Sequence, residues 1–120
     1  MTDPELRAQV LAKAVQRVGR MLQLPADALS EAIEIPENAV PEVSIADALL
    51  KSGGKSQKRA EQIILLYRSL SSVFAGDDSK AARWLREKNS TLGGVPVDLI
   101  QTSEGLEVVL NYLTIRSQLA

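Results

Sequence analysis

The chain has 120 residues, a formal net charge of -1, 45% hydrophobic residues and only 3% aromatic ones. That apolar content excludes a disordered chain, the length fits one domain or a domain with a small subdomain, and the near-zero charge excludes an overall pull toward nucleic acid or anionic membrane. Cysteine and histidine are both absent, which removes disulfides, thiolate nucleophiles, the commonest general base and the commonest transition-metal ligands.

The first element opens at Thr2-Asp3-Pro4-Glu5, with a capping side chain, a proline in the first turn and acid at the positive helix end. Leu6, Val10, Leu11, Ala14, Val18, Met21 and Leu22 follow at helical spacing as the expected core stripe, and Leu24-Pro25 ends the helix. A short helix over 26–33 places Leu29 and Ile33 on one face. Pro36 and Pro41 bracket a stretch too short for much helix. Ser44 is expected to cap a helix that stops at Gly53-Gly54. A long helix begins at Lys55, with Ile63, Leu66, Tyr67, Leu70, Val73 and Phe74 as its stripe and Gly76 as its cap. Asp77-Asp78 cap a helix carrying Ala82, Trp84 and Leu85, and Trp84 is expected to pin it. Pro96 starts one helical turn, and Thr102 or Ser103 caps the last helix.

No segment alternates with period two for long enough to make a strand. The expected class is all-α, with about six to seven helices. The last helix carries one apolar stripe of Leu106, Val109, Leu110 and Leu113, and a second, rotated stripe of Val108, Tyr112, Ile115 and Leu119. One stripe suffices to cover a small core, so the second calls for another surface.

Charge is unevenly spread. Residues 1–50 carry 4 basic against 8 acidic side chains, residues 51–90 carry 9 against 4, and residues 91–120 carry 1 against 3. The basic middle is either a solvated helix face or a hint of an acidic partner.

Tests for chemistry fail. Gly53-Gly54-Lys55-Ser56 lacks the upstream glycine and the preceding strand of a phosphate loop, and Gly93-Gly94 is followed by Val95-Pro96 rather than a lysine. Carboxylate pairs such as Asp77-Asp78 and Glu104/Glu107 sit where caps belong. The reading is a non-enzyme with no cofactor and no metal site. The N-terminus has neither the basic nor the apolar region of a signal peptide, and no apolar run approaches the roughly 20 residues of a bilayer span. A soluble, cytoplasmic protein without a membrane partner is expected.

A set of residues in order carries a resemblance: Leu66-Tyr67-Arg68-Ser69-Leu70, Gly76-Asp77, Trp84-Leu85, Asn89, Leu92-Gly93-Gly94, Pro96, Leu99-Ile100 and Glu104-Gly105-Leu106. Together they resemble the toxin-binding domain of the MbcA/ParS/Xre antitoxin family. Upstream, Leu24, Leu29, Ile33, Ile35, Val40 and Val43 fit the apolar positions of an Xre-type helix-turn-helix. The polar positions depart from it: Glu34 replaces the turn glycine, Pro41-Glu42 stands where Ser-Arg is usual, and Glu34, Glu37 and Glu42 would face phosphates with the wrong charge.

The resemblance implies a degenerate helix-turn-helix region over residues 1–56 and a toxin-binding domain over 57–120. It implies an antitoxin that covers the active-site cleft of a RES-type, NAD-consuming toxin or a related ADP-ribosylating one, commonly as a homodimer that represses its own operon. The expected toxin contacts are Val108, Tyr112, Ile115, Arg116 and Leu119, with Arg116 the polar probe of an NAD-phosphate pocket or else a cation at a helix C-terminus. Leu92, Gly93, Gly94 and Pro96 are expected to set the angle of the last helix. Lys51, Lys55, Lys58 and Arg59 are candidate non-specific phosphate contacts. A DNA-binding autorepressor and an orphan helical adaptor are the alternatives.

Overall fold

The computed structural model describes residues 2–36 and 42–119. Among the described residues seven helices form: α1 (Asp3–Met21), α2 (Ala26–Ile33), α3 (Glu42–Lys51), α4 (Lys55–Val73), α5 (Asp78–Arg86), α6 (Pro96–Leu99) and α7 (Ser103–Leu119). The described residues form no strand; a single antiparallel bridge joins Asn89 to Gly94. The class is all-α, as expected. Residues 37–41, with Glu37, Val40 and Pro41, lie outside the described residues, as does the side chain of Val43.

Local chemistry accounts for the helix ends. The Thr2 hydroxyl accepts the Glu5 amide at 3.2 Å, and the Asp77 carboxylate accepts the Lys80 amide at 3.0 Å. Each side chain satisfies an amide that has no partner within its own helix. Helix α3 begins at Glu42, one residue past Pro41, so Ser44 lies inside it rather than capping it. Helix α4 closes at Phe74, before the expected glycine. Ala75 takes the left-handed turn at φ 52°, and the Gly76 amide reaches back to the Ser71 carbonyl at 2.9 Å.

Helix α4 is the spine. It packs against α1, α2, α3, α5 and α7, while α1 also covers α3 and α6 bridges α5 to α7. One apolar cluster runs through the molecule, from Leu22 and Ile33 through Leu49, Ile63, Leu66 and Leu70 to Leu85, Leu106 and Leu113.

The inner face of α1 keeps the expected Val18 and Leu22, with Leu11 and Met21 partly packed on the core, but differs from the expected one in its first turns. Ala8, Ala12, Val15, Val18 and Leu22 are buried, whereas Leu6 and Val10 point outward at 53% and 61% exposure. Residues 6 and 10 and residues 8 and 12 both satisfy helical spacing, so periodicity alone cannot choose between them. Small alanines let α1 lie close to its neighbours, and that packing settles the choice.

Candidate protein-binding face on the last helix

Helix α7 is held on its inner side by Leu106, Val109, Leu110 and Leu113, all buried. Of the rotated stripe, Tyr112 is half-buried and the side chain of Leu119 lies outside the described residues. Val108 is 49% and Ile115 59% exposed, seven residues apart and so on one face.

Beside that face lies a cluster of three of the chain's four aromatic residues. Tyr112 stacks on Trp84, with ring centroids 6.0 Å apart and planes 12° from parallel. Trp84 in turn meets Phe74, the C-cap of α4, at 6.3 Å and 52°. The Arg116 guanidinium sits 5.6 Å from the Phe74 ring centre, a cation–π distance. The rings are half-buried, so they anchor α7 to α5 and to the end of α4 while keeping an accessible edge. Trp84 thus contacts both neighbours, in line with its expected pinning role. The Ser72 and Ser117 hydroxyls, 2.8 Å apart, add a polar tie between α4 and α7.

The loop leading to α7 is organised by Asn89. Its side chain accepts the Leu92 amide at 3.0 Å, its carbonyl accepts the Gly93 and Gly94 amides, and its own amide donates to the Gly94 carbonyl at 2.9 Å. Leu92 packs against the core, and buried Pro96 opens α6. Of the glycine pair only Gly93 takes a positive φ, 78°. A Cβ on Gly94 would make ordinary contact with Leu99 at 3.5 Å. The demanding glycine is Gly105. A Cβ there would overlap the Leu99 carbonyl at the end of α6, so only glycine lets α7 approach this closely. The Thr102 hydroxyl, 3.0 Å from the Gly105 amide, fixes the same corner. The sequence contained signals for both residues: a polar Asn-Ser-Thr run ahead of a glycine, and a glycine inside a helix's first turn.

The four candidate phosphate contacts do not form one free cationic surface. Lys51 pairs with Asp47 at 2.9 Å and Lys55 with Glu34 at 3.1 Å. Arg59 is buried, with one guanidinium nitrogen 3.3 Å from Glu34 and two others without a hydrogen-bond partner. Lys58 is exposed. Glu34 is left-handed at φ 57°, the conformation a turn glycine would take. Its carbonyl accepts the Ser56 hydroxyl at 3.0 Å. The apparent phosphate motif at Gly53–Ser56 therefore meets a carboxylate of the chain itself.

Among the described residues no group of three or more acidic, histidine or cysteine side chains could hold a metal ion, and no helix is long and apolar enough to cross a membrane. An apolar helix edge thus stands beside an aromatic cluster. The model of the antitoxin Xre/MbcA/ParS C-terminal toxin-binding domain matches residues 69–116, from the last turn of α4 nearly to the end of α7. The resemblance read from the residues is thereby shown over that stretch. It supports an antitoxin role, with a toxin as partner. No curated protein matches the chain.

Proposed function

We propose that this protein is the antitoxin of a toxin–antitoxin pair and occludes the active site of a RES-type NAD-consuming toxin or a related ADP-ribosylating one. The observation that carries the reading is the outward face of α7, where Val108 and Ile115 stay exposed beside the Trp84–Tyr112 stack. The edge formed by Val108, Tyr112, Ile115 and Leu119 lies against the toxin. Arg116 leaves the Phe74 ring to meet a phosphate-binding pocket, where a fixed guanidinium has the geometry for anion sites. Leu92, Gly93, Gly94 and Pro96 hold the approach angle. Labour divides along the chain: residues 1–56 form an Xre-like region and residues 57–120 bind the toxin. The protein acts in the cytoplasm and performs no catalysis.

Removing residues 114–120 should abolish toxin neutralisation and leave the helical fold, because among the described residues the buried side chains of α7 end at Leu113. The paired change V108D/I115D should do the same without shortening the chain, since a carboxylate forced into an apolar contact must be desolvated. Neutralisation at wild-type strength by both variants refutes the mechanism.

Operon autoregulation is the second part of the proposal. The carboxylate partners of Lys51, Lys55 and Arg59 leave little free cation for phosphates. A gel shift on the operon's own promoter, titrated with salt, tests it. An adaptor serving another protein is distinguished by what copurifies with the chain.

A further inference from the structure

The outer edge of α7 is electrically polar along its length. Glu104, Val108, Asn111 and Ile115 are all exposed and follow one another at spacings of four, three and four, so they share one helix face. Glu104 stands at its first turn, beside exposed Glu107, and Arg116 at its last. Acid is thus gathered at one end of the apolar edge and a cation at the other.

Helix α5 enlarges the cationic end. Trp84 stacks on Tyr112, and Phe74, just ahead of α5, lies under the Arg116 guanidinium. Going back along α5 therefore means going forward along α7, which sets the start of α5 by Ile115 and Arg116. Lys80 precedes Trp84 by one turn on the same side of α5, and Arg83 follows Lys80 at three residues. Both are exposed, and among the described residues neither pairs with a carboxylate. The neighbouring acids are engaged elsewhere. The Asp77 carboxylate accepts the Lys80 amide at the positive end of the helix, and the Asp78 carboxylate accepts the Tyr67 hydroxyl. On α4, exposed Arg68 lies one turn before Ser72, whose hydroxyl meets that of Ser117, and so adds a further cation at this end.

We propose that the toxin surface lying against α7 carries an acidic cluster opposite Lys80 and Arg83 and a basic group opposite Glu104. Charge then steers the encounter and selects one of the two directions in which a partner could lie along the helix. The inference rests on α7 being the toxin-facing edge. A nucleic-acid strand fits this face poorly. Glu104 and Glu107 would confront its phosphates, and Trp84, already against Tyr112 and Phe74, offers little ring face for a base.

Surface plasmon resonance of the full chain on its immobilised toxin, between about 50 and 500 mM salt, tests this, with circular dichroism confirming that each variant is folded. Wild-type association should slow by about tenfold across that range. K80E/R83E should associate about tenfold more slowly at low salt and dissociate within about threefold of wild type. E104K/E107K should also slow association. K13E/R17E makes the same change of net charge as K80E/R83E at two exposed cations of α1, and should associate within about twofold of wild type. Association indifferent to salt, unslowed association by K80E/R83E or by E104K/E107K, or equal slowing by K13E/R17E overturns the proposal. So does a single-stranded DNA oligonucleotide that binds the wild type and not K80E/R83E, which would assign the patch to nucleic acid. A wild type that binds no toxin overturns the antitoxin reading and this inference with it; the other outcomes leave that reading standing.

Discussion

Replacing Glu34 with glycine offers a test in which two physical effects of opposite sign meet at one residue. Glu34 holds φ 57° and ψ 50°, a left-handed conformation that costs a non-glycine residue about 1 kcal/mol, so glycine relieves strain. The same change deletes the carboxylate that meets Arg59 at 3.3 Å and Lys55 at 3.1 Å. The Lys55 contact matters little, because that side chain is 75% exposed and an exposed pair contributes at most about 1 kcal/mol. The Arg59 side chain is only 4% exposed, and two of its nitrogens already lack partners. Stripping a buried charge of its counter-ion costs about 3–5 kcal/mol when both groups are fully buried. Glu34 is a third exposed, which lowers that figure to roughly 2–3 kcal/mol. The Ser56 bond to the backbone carbonyl survives. E34G should therefore destabilise the chain by about 1–2 kcal/mol despite the relieved backbone.

The decisive comparison adds R59M. Without a guanidinium to orphan, the strain term stands alone, and E34G on the R59M background should stabilise by about 1 kcal/mol. Urea unfolding followed by circular dichroism gives the midpoint and slope for all four chains. The reasoning predicts a reversal of sign between backgrounds and a coupling of about 2–3 kcal/mol. Stabilisation by E34G in the native chain, or the same change in both backgrounds, refutes it.

Two further outcomes concern the corner that aims α7. G105A drives a methyl group into the Leu99 carbonyl and should cost more than about 2 kcal/mol or displace the helix, seen as a lower unfolding midpoint with an altered Trp84 fluorescence. G93A should cost about 1 kcal/mol, because its φ of 78° suits only glycine, whereas G94A should stay within about 0.5 kcal/mol of wild type; equal effects at 93 and 94 refute the assignment.

Helices were legible because their punctuation is local. Thr2, Asp77 and Thr102 each cap a helix from within three residues, and Pro96 starts a turn by its own ring. The two stripes of α7 were readable because one is uniformly buried and the other is not. Only the first turns of α1 depart from the pattern, because alanine weighs little in a hydrophobic pattern, yet Ala8 and Ala12 are what close packing selects. The aromatic cluster was out of reach, since Phe74, Trp84 and Tyr112 lie on three elements and only tertiary packing unites them. The Glu34–Arg59 pair spans 25 positions and left one trace, an acid where a turn glycine was expected.

Helix α4 carries a thermodynamic consequence. Ala60 and Ile63 sit in the shared core with α1 and α2, and Leu66 and Leu70 sit in it with α7. A helix common to two sets of neighbours cannot melt for one and persist for the other, so the amides of α1 and of α7 should open in a single cooperative unit. Occupancy of the outer edge of α7 then stabilises the whole unit by mass action, and slower hydrogen exchange follows in the first helix, which the bound partner need never touch.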